Sequence, residues 1–214
     1  IFGLGAIGLF AVQLARLAGA CQIFAVEPIA VRRELALGFG ADVALDPADK
    51  DGDVGRAIRE LAISERSVQA QSERIVGGYN EVPTQRSQRG VDVALECAGT
   101  ASALHQAIRA TRFGGTVCVL SYYGRHATGL HLGEEFHINQ IRLISARSQS
   151  LPLRDAPRWT LSRLTELAMR WLISGKLRTE GIVDPIVAFS DSVAAYRAID
   201  EHPEQAIKLG IRFD

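Results

Sequence analysis

Apolar and polar positions alternate between two periods over most of the chain. Ile7, Phe10, Ala11, Leu14, Leu17 and Ala18 recur every three or four residues, the spacing of one buried helical face, and Gly19 follows as a stop. Residues 22–26 are a short apolar run that predicts a strand, and 31–39 predict a helix closed by Gly40. The same rhythm continues with a strand at 43–45, a helix at 54–63, a strand at 91–95 and a helix at 101–110. A strand at 116–120 follows the Gly114-Gly115 turn, and another is expected at 140–145. Continuous apolar strands alternating with amphipathic helices predict an α/β fold, a doubly wound parallel sheet with helices on both faces.

Beyond residue 147 the character changes. Residues 158–173 predict an amphipathic helix, 185–189 a strand, 191–199 a helix and 206–212 a closing strand. This tail either finishes the sheet or belongs to a second domain. Residues 64–89 break the rhythm with Ser, Gln, Arg and Glu, a Gly pair and Pro83, and are expected to be a disordered surface insertion.

Composition narrows the class. The 214 residues carry 24 basic and 24 acidic side chains, a balance that gives no footprint for nucleic acid or an anionic membrane. Since 47% of residues are apolar, wholesale disorder is excluded, yet no apolar run approaches the length of a membrane span. Cys21, Cys97 and Cys118 are an odd number without C-x-x-C spacing, which disfavours a disulfide framework and fits a reducing, cytoplasmic compartment.

The chemistry-bearing motif lies at the start. Gly3-Leu4-Gly5-Ala6-Ile7-Gly8 fits G-x-G-x-x-G between a strand and a helix. Gly3 permits a tight turn, Gly5 lets the backbone approach a pyrophosphate, and Gly8 allows close helix–strand packing. The amides at Ala6 and Ile7 would open the helix toward the phosphates. Such turns also arise for steric reasons alone. Glu27 ends the next strand, near the offset of about 20 residues at which an acid binds the adenosine ribose of NAD. Arg32 and Arg33 follow; Arg32 is placed near the adenosine, although either arginine could instead favour NADP or simply be solvated. A turn of this kind follows a strand of about five residues, whereas the chain opens on Ile1-Phe2 without Met. We therefore expect a fragment whose N-terminal portion lies outside this sequence.

Two further strand ends are expected to border the ligand, because open parallel sheets bind at the carboxyl ends of their strands. They are Cys97-Ala98-Gly99 and Ser121-Tyr122-Tyr123, from which Cys97, Ala98, Ser121 and Tyr122 are candidate cofactor contacts. His131 to His137 does not match H-E-x-x-H, so it is read as polar edge-strand or loop residues rather than a metal site. His105 and His202 have no partner acid in a recognisable arrangement. No catalytic residue is assigned.

The glycine motif, the strand 23–27, Leu37-Gly38-Phe39-Gly40-Ala41-Asp42, the strand 91–96, the Gly114-Gly115 turn, 130–137 and 202–208 together resemble the medium-chain dehydrogenase/reductase superfamily, in its zinc-dependent alcohol and polyol dehydrogenase branch. The resemblance implies a Rossmann dinucleotide-binding domain over 1–146 and, over 147–214, a C-terminal return into the catalytic domain. It implies NAD as cofactor and an alcohol or carbonyl small-molecule substrate. Lys208 matches a basic position that approaches the cofactor pyrophosphate. Catalytic zinc and its ligands would lie upstream, so the full-length parent would be the enzyme and this chain alone would be inactive. Family members pair edge strands of their nucleotide domains, here around 129–132, which implies a homodimer or homotetramer. Two alternatives remain: a zinc-free NADPH-dependent quinone or enoyl reductase, and a truncated, binding-only product.

Overall fold

A computed structural model describes residues 1–64, 89–124, 127–147 and 156–213. Its strands are β1 (Phe24–Val26), β2 (Val43–Leu45), β3 (Val91–Glu96), β4 (Thr111–Val119), β5 (Arg142–Ser145), β6 (Val183–Ala188) and β7 (Lys208–Arg212). The insertion expected at 64–89 falls almost wholly outside the described residues. No helix among the described residues is long and apolar enough to cross a membrane.

The chain divides into two compact units, residues 1–3 with 45–146 and residues 4–44 with 147–214. In the first, β3, β4 and β5 form a parallel sheet in that order. The helix Ala101–Ala110 begins where the Thr100 hydroxyl accepts the Ala103 N–H at 3.1 Å. It buries Leu104, Ala107 and Ile108, a stripe at helical spacing. Thr111 turns the chain directly into β4 while its hydroxyl donates to the Ala107 carbonyl at 2.7 Å. The strand expected from residue 116 therefore starts earlier. Register jumps from Val91 opposite Thr111 to Val93 opposite Thr116, so the Gly114-Gly115 turn bulges inside the strand. Arg109 joins three elements through Asp53 at 3.0 Å and Glu135 at 3.1 Å.

Residues 129–132 correct an expectation. They form no strand; the assigned edge is β5, and Gly129 adopts φ +86°, outside the extended region. The segment His131 to His137, expected as edge strand or loop, enters a short helix, Glu135–Ile138, which places His137 on an exposed last turn.

In the second unit the helix Ala6–Leu17 buries Leu9, Ala11 and Val12. Arg16 secures its end by donating to the Ala20 carbonyl at 2.7 Å and the Gly40 carbonyl at 2.7 Å, and by pairing with Asp42 at 2.6 Å. β1 is buried throughout and pairs with β2, while β6 and β7 form their own parallel pair. The tail thus carries a separate sheet. The helix predicted from 158 starts instead at Leu161, where the Thr160 hydroxyl accepts the Arg163 N–H. That helix, Leu161–Ile173, buries none of its residues, and Met169 and Ile173 are exposed.

Candidate functional site

Gly3 adopts φ +89°, a conformation that penalises any L side chain, and a Cβ there would stand 2.7 Å from the Ala98 amide nitrogen. Phe2 locks this approach by donating to the Leu95 carbonyl at 2.9 Å and accepting from the Cys97 N–H at 2.7 Å. Gly5 differs. A Cβ on it would meet nothing within 4 Å, so open space lies over the start of the helix Ala6–Leu17. Gly5 caps that helix without a side-chain bond, leaving the first-turn amides at Ala6, Ile7 and Gly8 without intrahelical acceptors. First-turn N–H groups and the helix dipole could receive an anion at this terminus, beside an open cradle. The residues present therefore fit the pyrophosphate of a dinucleotide.

Glu27 continues the same unit. It is 5% exposed, its Oε2 accepts the Leu4 N–H at 2.7 Å and its Oε1 accepts the Ile29 N–H at 3.2 Å. Two backbone donors hold the carboxylate against the glycine turn, and a carboxylate with four acceptor sites retains capacity for ribose hydroxyls. Arg32 sits 3.9 Å from Glu27 but donates to the carbonyls of Pro203 at 2.8 Å and Ala206 at 3.0 Å. It thereby ties the segment that leads to Lys208, an exposed side chain at the start of β7, to the Glu27 strand end. Arg33 donates to the carbonyls of Glu27 and Pro28.

The first unit contains the other candidate residues. Ala98 abuts Gly3, and Gly99 (φ +77°) passes the Tyr122 carbonyl so closely that a Cβ would lie 3.0 Å from it. The strand ends at Cys97-Ala98 and Ser121-Tyr122 are therefore neighbours. Burial pushes the Cys97 thiol up to about 11, which makes it a poor nucleophile at neutral pH. Tyr122 is 86% exposed. Tyr123 instead donates to Glu96, and its phenol pKa is raised by burial and then by that bond.

Glu96 is the residue that sequence patterning left without a role. It is fully buried at the end of β3, where Oε1 accepts the N–H groups of Ala98 at 2.8 Å and Gly99 at 2.9 Å, while Ser121 and Tyr123 hydroxyls donate to Oε2. The available signal was an acid closing an apolar strand, the same position that singled out Glu27. Among the described residues, no group of three or more His, Cys, Asp or Glu is placed to hold a metal ion. The His105 and His131 rings lie 5.1 Å apart, without a third such residue among the described ones to complete a site. The described residues thus do not fit a zinc centre.

Comparison with known proteins gives a consistent neighbourhood. Residues 6–164 match the family model described as zinc-binding dehydrogenase. D-guloside 3-dehydrogenase of Escherichia coli (strain K12) is 36% identical over 214 residues, covering 100% of this chain and 54% of that protein. The chain therefore spans about half the length of such relatives. Benzyl alcohol dehydrogenase from Acinetobacter calcoaceticus superposes with a TM-score of 0.72 at 23% identity, over 99% of this chain and 48% of that one. A zinc-binding dehydrogenase from Sinorhizobium meliloti 1021 bound to NADP superposes with a TM-score of 0.65 at 24% identity, over 99% of this chain and 50% of that one. These superpositions match the parallel α/β, Rossmann-like architecture expected for the chain.

Proposed function

The chain belongs to the zinc-binding dehydrogenase family, and from that premise we propose that it is the cofactor-binding part of an oxidoreductase moving hydride between an alcohol or polyol and NAD. The observation that carries this is the buried Glu27 carboxylate, held by the Leu4 amide beside the open space over Gly5. In the second unit, Gly5, Ala6, Ile7 and Gly8 would receive the pyrophosphate, with Lys208 as a basic partner, and Glu27 the adenosine ribose. Gly3 shapes the turn. Within the first unit, Cys97, Ala98, Ser121 and Tyr122, at the carboxyl ends of β3 and β4, are proposed to contact a nicotinamide ribose. The nicotinamide supplies the hydride acceptor.

Glu27 favours NAD because a buried carboxylate repels a 2′-phosphate. Arg32 and Arg33, the cations that would neutralise such a phosphate, donate to backbone carbonyls instead. This disfavours the NADPH-dependent reductase reading. An alcohol or polyol substrate is supported by the similarity to a D-guloside dehydrogenase. Residues 1–146 are proposed as the dinucleotide-binding domain and 147–214 as a segment of the catalytic domain. The helix Leu161–Ile173, apolar on one face yet without a buried residue, supports that assignment. Catalysis would belong to the whole protein, with the chain alone inactive. Three cysteines without C-x-x-C spacing, at 21, 97 and 118, support a cytoplasmic setting, and a homodimer or homotetramer completes the proposal.

Calorimetric titration with NADH and NADPH tests this. NADH is expected to bind at least about tenfold more tightly, and Glu27→Gln to narrow that gap by about tenfold. Tighter binding of NADPH by the unmodified chain would overturn the NAD assignment.

A further inference from the structure

Glu96 presents an electrostatic problem that its hydrogen bonds do not remove. The side chain is 0% exposed, and no Lys, Arg or His pairs with it among the described residues. Four donors converge on it: the Ala98 and Gly99 amides on Oε1, and the Ser121 and Tyr123 hydroxyls on Oε2. Such a set is filled by an ionised carboxylate with all its lone pairs engaged. A buried charge without a paired Lys, Arg or His among the described residues is costly, and a glutamine would occupy the same volume without it. Its amide oxygen would accept the two N–H groups, and its NH2 would donate to hydroxyls that can rotate to accept. The fold's geometry therefore needs the shape at residue 96. It does not need the charge.

The donors of this cluster belong to the two strand ends assigned above to the nicotinamide side of the cofactor. The two forms of that cofactor differ by one charge: the oxidised ring is cationic and the reduced ring neutral. We propose that Glu96 is a positioning and specificity-determining residue whose buried negative charge stabilises the oxidised cofactor relative to the reduced one, so that the site discriminates in binding between the two redox forms. This rests on the dinucleotide-binding reading of the chain. Glu96 touches no reacting atom; it acts through the field it places at the strand ends and through the backbone of Ala98 and Gly99. Tyr123 and Ser121 set how strongly that field is screened, because each hydroxyl donated to Oε2 draws the charge inward.

Calorimetry with NAD+ and NADH on the full chain decides the matter. Glu96→Gln is expected to weaken NAD+ binding about tenfold more than NADH binding. Tyr123→Phe keeps the charge and removes one screening donor, so it is expected to move the ratio of the two affinities in the opposite direction, toward NAD+. This second variant keeps the test decisive if Glu96→Gln fails to fold. A purely structural role would change both affinities by one factor in either variant, and that result overturns the assignment. Binding of both cofactors by the unmodified chain, with a ratio indifferent to both substitutions, overturns the role of Glu96 while leaving the cofactor reading intact. Failure of the folded, unmodified chain to bind either form overturns both.

Discussion

The side-chain amide of Gln13 makes both its hydrogen bonds to a single distant residue: Nε2 donates to the Arg178 carbonyl at 3.1 Å and Oε1 accepts the Arg178 N–H at 2.7 Å. Gln13 is 5% exposed and lies on the buried face of the helix Ala6–Leu17. Arg178 extends the link, with its guanidinium 4.8 Å from the centre of the Phe39 ring and a hydrogen bond to the Gly38 carbonyl. The C-terminal segment is thereby fastened to both helices of the glycine-turn half. Beside it, Leu177 and Ile182 are buried and Gly181 packs against Leu35.

Replacing Gln13 by Leu should therefore cost more than a polar-to-apolar change normally does on a buried face. Volume is nearly kept, but the N–H and C=O of Arg178 lose their part-buried partners, and water can replace them only in part. Losing two such bonds is worth about 1–2 kcal/mol. Urea denaturation of Gln13→Leu should show a lower midpoint with an unchanged slope. A neutral result would mean that the tail does not hold this position.

Gly3 and Gly5 should separate stability from binding. Gly3→Ala combines a positive φ with a Cβ 2.7–2.8 Å from the backbone of Ala98, and is expected to cost about 3 kcal/mol or more. Gly5 has φ −66° and open space beside it, so Gly5→Ala should leave the melting temperature within about 2 °C of the parent. Its methyl group would nonetheless stand where a pyrophosphate must approach, and NADH affinity should fall by more than about tenfold. Thermal melts paired with calorimetry check both halves. Wild-type affinity in a stable Gly5→Ala variant would remove the glycine turn from the proposed site.

The order of elements was legible because hydrophobic period is a local property. The helix Ala101–Ala110 matched its predicted bounds, since Thr100 supplies a local cap and the stripe from Leu104 to Ile108 a local face. Strand limits were less legible. β4 begins at Thr111 because β3 pairs with it there, and no local pattern encodes that ladder across the Gly114-Gly115 bulge. The edge strand at 129–132 rested on the family resemblance alone, with no period in the residues to support it, and those residues form no strand. At the site, Glu27 was visible through its spacing from the glycines. Glu96 was visible only as an acid ending a strand, because its donors come from residues 98–99 and from 121 and 123 after another strand. Gln13 and Arg178 carry no sequence signal at all, since their pairing exists only once the tail has folded back.

The packing around Cys97 should make the first unit labile in alkali. Burial raises the thiol from its ordinary 9.0 to about 11, so the folded state holds this proton more tightly than the unfolded chain does. A group raised in this way contributes its stability in full below pH 9, and loses it as pH rises through 11. The gap between the two values is worth about 2–3 kcal/mol. The Tyr123 phenol is also raised, by burial first and then by its bond to Glu96, and acts with the same sign at still higher pH. Urea midpoints measured from pH 8 to 11 should therefore fall in the parent protein. Cys97→Ala lacks the titrating group, so it should start from a lower stability but lose about 2 kcal/mol less between pH 9 and 11. Reactivity gives an independent check: iodoacetamide at pH 8 should modify the exposed Cys21 well before Cys97, whose rate should keep rising toward pH 11. Parallel pH profiles for parent and variant would show that the Cys97 thiol titrates as it does in the unfolded chain, and that the strand end it closes is open to water.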